Sequence, residues 1–299
     1  MRVPSLLYSA EEAAELDDVQ LHSLGLNGLL ELCAADRKLT PYEDPLFSTT
    51  AMRYSRLMQT NETNGRLDRT LEAFLRLLSA HFLSHAAHKV LEYLLRRFDV
   101  HKYNSAALFS CVLPYHGTRW FVKVAQLLPP LGLGRKWQRS GVPPSREVLT
   151  AQCIKDHALL SQIALLGGDG ASSHEGSVSF CTVLLLELYG RDLIEKKRKH
   201  GKAAEPQVLL RLLVRHIHAS LSSASGWTQR LGAYMLVTQI CTRRALGGEA
   251  LSAFGKLLGG RLRESSTPAD ATSCLQCLLV LYRQAHLSPP QDGAAKDGA

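Results

Sequence analysis

The sequence predicts an all-α chain, and three observations carry that reading. Leu is abundant, at 54 of 299 residues, while Ile and Val together number 20. Leu is a good helix former and β-branched residues favour strands, so a sheet protein of this length would need far more Ile and Val. Apolar residues recur at helical spacing along most of the chain, and the last third aligns with itself at a fixed offset. At 45% hydrophobic and 21% charged residues the chain has the composition of a folded protein rather than a disordered one.

The elements follow in order. Ser9-Ala10-Glu11-Glu12 is a capping box, Ser and Glu each satisfying a backbone N–H at a helix start. A longer amphipathic helix follows, with Leu21, Leu24, Leu29 and Leu32 on one face. Thr40–Pro45 reads as a break, because proline removes a donor and restricts its neighbour. Leu67, Leu71, Phe74, Leu75 and Leu78 then mark one helical face, and Val90, Leu91, Leu94, Leu95 and Phe98 repeat the pattern. Asn104 is expected to cap a short helix ending before Pro114, and Thr118 to open one running to Leu128. Residues 129–145, with four prolines and three glycines, are expected to form a long basic loop. Further helices are expected at about 146–166, 176–199, 206–222, 227–245, 249–262 and 269–285, with a Gly-rich connector at 167–176 and a disordered tail from about 286 to 299.

An offset of 41 residues aligns Leu210 with Leu251, Leu213 with Phe254, Ile217 with Leu258 and Leu221 with Leu262, and also Leu236 with Cys277, Val237 with Leu278 and Ile240 with Leu281. A two-helix unit near 40–47 residues is the HEAT or armadillo period, in which stacked pairs share one core as an α-solenoid. The expected organisation is helical repeats over 1–128, the loop 129–145, a helical region 146–199 and two HEAT-like pairs over 205–285. The core of those pairs is expected to include Leu213, Ile217, Leu236, Ile240, Phe254, Leu258, Leu278 and Leu281. A non-repeating helical domain is the alternative.

Several chemistries leave no mark. No GxSxG elbow or GxxxxGK[ST] loop occurs, and Gly167-Gly168-Asp169-Gly170 lacks the Lys and hydroxyl that hold phosphate and Mg²⁺. His174-Glu175 lacks the second His of a zinc-protease helix. His81, His85 and His88 have near-helical spacing, but Ser84 is expected to cap a new helix between them, leaving solvent-facing imidazoles. Cys274-Leu275-Gln276-Cys277 is a lone CxxC in an apolar helix, better read as core thiols than as half a zinc site. Seven cysteines scattered through apolar segments suit a reducing compartment. No apolar run reaches the roughly 18 residues of a spanning helix, so no membrane partner is expected. The chain reads as a non-enzyme needing no cofactor and no metal.

The net charge of +8 is uneven. Residues 1–50 carry three basic and nine acidic side chains, whereas 51–145 carry fourteen and five. An anionic partner, RNA above all, fits this balance, as does a role in solubility alone. Two basic features stand out. Arg135, Lys136, Trp137, Arg139 and Arg146, in and beside the long loop, are candidate contacts for RNA or a protein partner, by phosphate pairing and base stacking; the alternative seats Trp137 between helices. Lys196, Lys197, Arg198 and Lys199 form a candidate nuclear localisation run or a solvated helix end.

One stretch, Leu91–Leu128 (LEYLLRRFDVHKYNSAALFSCVLPYHGTRWFVKVAQLL), closely resembles the N-terminal region of a known family. Ser5–Ala14, Ser23–Leu32, Pro45–Ser48, Ser140–Asp156 and Leu231–Ile240 add resembling pieces in family order. The most specific spacing is Arg97-Phe98, His101, Tyr103-Asn104 and Leu113-Pro114-Tyr115-His116. The family is the U-three small nucleolar RNA-associated protein ten, or HEAT repeat-containing protein one (BAP twenty-eight), of the small-subunit processome. The resemblance implies a nucleolar α-solenoid scaffold without an active site, acting in pre-ribosomal RNA processing, small-subunit biogenesis and support of ribosomal DNA transcription by RNA polymerase I. The partners it implies are WD-repeat propeller subunits of the same early subcomplex, the small nucleolar ribonucleoprotein and pre-ribosomal RNA. Because the family's members are several times longer, it implies either a fragment or a short relative. A cytoplasmic HEAT-type adaptor that binds only proteins is the competing expectation.

Overall fold

The computed structural model describes residues 4–129, 141–168, 174–198, 206–222, 225–243 and 246–287, and among these all regular secondary structure is helical. The first helices are α1 (Ala10–Glu15), α2 (Asp18–Ala35), α3 (Glu43–Phe47), α4 (Thr49–Met52) and α5 (Asn61–Leu78). They are followed by α6 (His85–Arg97), α7 (Val100–Tyr103), α8 (Ser105–Val112), α9 (Arg119–Leu127), α10 (Arg146–Lys155) and α11 (His157–Gly168). The remainder is α12 (Glu175–Arg198), α13 (Pro206–Ser220), α14 (Trp227–Arg243), α15 (Gly248–Glu264) and α16 (Pro268–Leu287). These helices divide between two compact units. The first runs to Leu166 and takes in α12 as far as Cys181; the second takes the end of α11 from Gly167 and the chain from Thr182 onward.

Helix starts follow the side chains that satisfy them. Ser9 accepts from Glu12 N and Glu12 answers to Ser9 N, completing the expected capping box. Ser84 and Thr118 cap α6 and α9 as their positions predict. Asn104 precedes α8 without a side-chain cap; its amide instead donates to the Asp68 carbonyl at 3.4 Å. Two corrections concern helix ends. Thr40–Pro45 is helical rather than broken, a 3₁₀ segment Arg37–Tyr42 leading straight into α3. Pro45 is the third residue of α3, within the first turn, where no backbone donor is required. The single helix expected over 146–166 is two, because Asp156 turns extended and its carboxylate accepts from Ala158 N and Leu159 N, both at 3.1 Å.

In the first unit α2 lies against α6 at a separation that only glycine permits. A Cβ on Gly25 would sit 2.5 Å from Tyr93 Cβ, and one on Gly28 would sit 2.7 Å from the Ala86 carbonyl. Around this crossing Phe47, Phe74, Tyr93 and Phe98 form an aromatic core, Phe47 stacking on Tyr93 at 5.0 Å between centroids. The Tyr93 hydroxyl donates to the Leu46 carbonyl at 3.0 Å, so the ring's polar end is satisfied inside the core. Burial raises the Tyr93 pKa to about 12, which keeps that donor protonated.

In the second unit four of the seven matches of the 41-residue register are buried on both sides, while Leu251 and Leu262 are half-buried. Leu213 and Phe254, Ile217 and Leu258, Leu236 and Cys277, and Ile240 and Leu281 are buried as matched pairs. The match extends to Ala233 with Cys274 and to Ser220 with Arg261, also buried. Leu278 departs from expectation and is only half-buried, whereas its counterpart Val237 is buried. The inward face of α16 is Asp270, Cys274, Cys277 and Leu281, which leaves Leu278 on its flank. Cys274 and Cys277 are core thiols, their Sγ atoms 3.2 and 3.8 Å from the Leu258 and Tyr234 carbonyls, and burial pushes the Cys277 thiol up to about 12.

Candidate functional surface

The stretch that carries the family resemblance does architectural work. Arg97 donates to the Tyr54 carbonyl. Arg56 ties three segments together: its Nε donates to the Phe98 carbonyl at 3.0 Å, its Nη2 meets Asp68 at 2.7 Å, and its guanidinium lies 4.2 Å from the centre of the Tyr103 ring. Asp99 turns the chain in the left-handed region, with φ of 52°, between α6 and α7. His101 is buried below it, and burial holds its pKa below the usual imidazole value. The Tyr115 hydroxyl donates to the Ser79 carbonyl, while the Ser79 hydroxyl donates to the Cys111 carbonyl at 2.7 Å and lies 3.0 Å from His174 Nε2. These side chains fix the turns between helices and present no reactive set.

The candidate contact residues meet different fates. Arg135, Lys136, Trp137 and Arg139 lie outside the described residues, as does Lys199. Arg146 is the first residue of α10 and is exposed. Lys196, Lys197 and Arg198 end α12.

An aromatic set among cations does occur, one helix earlier than the sequence indicated. Trp120, in the first turn of α9, is half-exposed, and its ring rests on that of His88 from α6, 3.9 Å between centroids with planes inclined by 34°. Lys123 Nζ lies 4.8 Å and the Arg119 guanidinium 5.4 Å from the indole centre. Lys123 also donates to the Leu6 carbonyl at 3.1 Å, and the backbone N–H of Leu6 meets the buried Glu92 carboxylate at 2.6 Å, strapping the N-terminal segment across α6 and α9. His88 is buried, contrary to the expectation of a solvent-facing imidazole. Packing against Trp120 and Phe82 puts it inside. Burial first, then the charges of His85, Lys123 and Arg119, lowers its pKa to about 4, outweighing the hydrogen bond that the ring donates to the Phe82 carbonyl. His81 turns elsewhere, towards Asp36 at 3.4 Å. The sequence signal for this surface was Arg119-Trp120 with Lys123 one turn on, but the supporting His88 comes from another helix.

Helix pairs repeating at 41 residues over a shared core define an all-α protein of the HEAT type, an α-solenoid class. No family model matches the chain. Over 94% of its length it is 31% identical to HEAT repeat-containing protein 1 of Homo sapiens and 29% identical to the protein of the same name from Danio rerio, spanning 13% of each. It is 28% identical, again over 94% of its length, to U3 small nucleolar RNA-associated protein 10 of Yarrowia lipolytica, of which it spans 17%. The chain is a relative of this family, the one its sequence resembles.

Proposed function

We propose that this chain acts as a non-catalytic scaffold in small ribosomal subunit biogenesis. The observation that carries the reading is similarity across 94% of the chain to a protein named for its association with the U3 small nucleolar RNA. The helix-pair architecture agrees, because stacked pairs expose long surfaces for partners. In this reading the chain works in the nucleolus at the small-subunit processome, beside WD-repeat propeller subunits, the small nucleolar ribonucleoprotein and pre-ribosomal RNA, and supports transcription by RNA polymerase I. Arg135, Lys136, Trp137, Arg139 and Arg146 serve RNA or a protein partner, and Lys196–Lys199 serve nuclear entry. Proximity labelling of the tagged chain in its native cell tests the assignment. Enrichment of small-subunit precursor proteins supports it. Enrichment of cytoplasmic transport or vesicle proteins, with precursor proteins absent, overturns it in favour of a protein-binding adaptor.

A further inference from the structure

We propose that the surface of α6 and α9 around Trp120 is a contact site for single-stranded RNA, with the indole as stacking platform and Arg119, Lys123 and His85 facing phosphates. The choice of RNA as the polyanion rests on the ribosome-biogenesis reading; the site itself rests on its geometry.

The first argument is charge. His85, Arg119 and Lys123 all act electrostatically on His88, and all three side chains are exposed. The neighbouring carboxylates are already engaged. Glu31 pairs with Lys89 at 2.7 Å, and Glu92 accepts the backbone N–H groups of Leu6 and Leu7 at 2.6 and 3.2 Å. Like charges gathered on one surface repel, and an approaching polyanion relieves that repulsion while releasing its own counterions. Lys123 uses one donor on Leu6, and an ammonium has three.

The second argument is shape. The indole is held before any ligand arrives, because His88 supports it and is itself buried between Phe82 and Trp120. A fixed, partly exposed aromatic loses little entropy when a base stacks on it. Arg119 and Lys123 are one helical turn apart on the same face of α9, so they flank the ring along the helix axis. An aromatic between cations suits sequence-tolerant binding of an unpaired strand.

The test is a titration of a labelled twelve-nucleotide oligouridine, and of a duplex of equal length, into the full chain at salt from about 50 to 200 mM. Melting curves are run on every variant. The expected result is single-strand preference with affinity falling steeply with salt. Replacing both Arg119 and Lys123 by Ala should flatten the logarithmic slope by about 1.4, at roughly 0.7 for each phosphate that is no longer neutralised. Trp120→Ala should weaken binding about five- to hundredfold without altering the slope, and Trp120→Phe should recover most of the loss. Arg119→Ala alone, which leaves the Lys123 strap intact, keeps the test valid if the double variant melts early. Parent-like binding by folded variants overturns the proposal. So does a parent that ignores oligouridine, or one that instead binds an acidic peptide through these same residues. In each of those cases, labelling of small-subunit precursors in the cell would leave the scaffold reading standing.

Discussion

Asp270 is fully buried, yet it carries a charge that its neighbours sustain. Tyr234 Oη donates to it at 2.7 Å, Arg261 Nη2 approaches to 3.0 Å and Arg230 Nε to 3.2 Å, so one carboxylate joins α14, α15 and α16. Burial alone would raise its pKa. Hydrogen bonds from Tyr234 and Arg261, with the charges of both arginines, more than offset this and hold it below the ordinary aspartate range. The folded state therefore binds fewer protons than the unfolded one, and the stabilisation is complete above the ordinary carboxylate pKa and lost as pH falls below it. Asp270→Ala should destabilise the second unit by about 3–5 kcal/mol at neutral pH, because both guanidinium groups lose their buried counter-charge. Its denaturation midpoint at pH 7 against the parent's checks this, and a loss under about half of that range would mean that water replaces the carboxylate. His88 acts in a higher window. With a folded pKa of about 4 it is neutral at physiological pH, and its contribution is lost as pH falls from about 6.5 towards 4. His101 and His174 are shifted in the same direction, burial being the leading cause for each. His88→Leu should therefore remove part, and not all, of the stability decline over that interval in melting curves taken at successive pH values.

At the scale of the element, the repeat register makes a paired prediction. Leu236 and Leu278 lie one position apart in the register of the two repeats, but Leu236 is buried between helices while Leu278 sits on the flank of α16. Leu236→Ala should cost about 2–5 kcal/mol, and Leu278→Ala distinctly less, since little cavity is left at a site that water already reaches. Equal losses in chemical denaturation would show that α16 packs in another rotation. Helix starts were legible because a cap is local: Ser9, Ser84 and Thr118 each find their backbone partner within three residues. The 41-residue offset was legible for a related reason, since matched apolar faces survive in sequence as periodicity. Asp156 was missed although its signal was local, because an uninterrupted apolar pattern on both sides outweighed one capping residue. The helical turn at Pro45 was missed because proline opposes a helix only where a donor is needed. The burial of His88 and its support of the Trp120 ring were not legible. Both depend on α6 and α9 meeting, an approach of segments some thirty residues apart that no periodicity encodes.

At the scale of the whole molecule, the uneven charge fits partners, traffic or solubility, and these make different predictions. The run Lys196–Lys199 sharpens that choice, because three of its four cations end α12. Cations at a helix C-terminus are favoured by roughly 0.3–1 kcal/mol each when exposed, which accounts for one or two of them and not for four in succession. If the run is a solvated helix end, changing all four to Ala should leave the melting temperature within a few degrees of the parent's, since surface changes are mostly within about half a kcal/mol. If the run directs import, the same variant should lose nuclear enrichment in cells. A chain of 32.9 kDa is small enough to enter partly by diffusion, so the quantity to measure is the ratio of nuclear to cytoplasmic signal rather than presence or absence. Fusion to a large inert protein that blocks diffusion makes the readout decisive. A fused parent that accumulates in nuclei, beside a folded variant that does not, assigns import to this run. Equal accumulation by both would return the four cations to a solvated helix end and leave entry to a carrier bound elsewhere on the helix pairs.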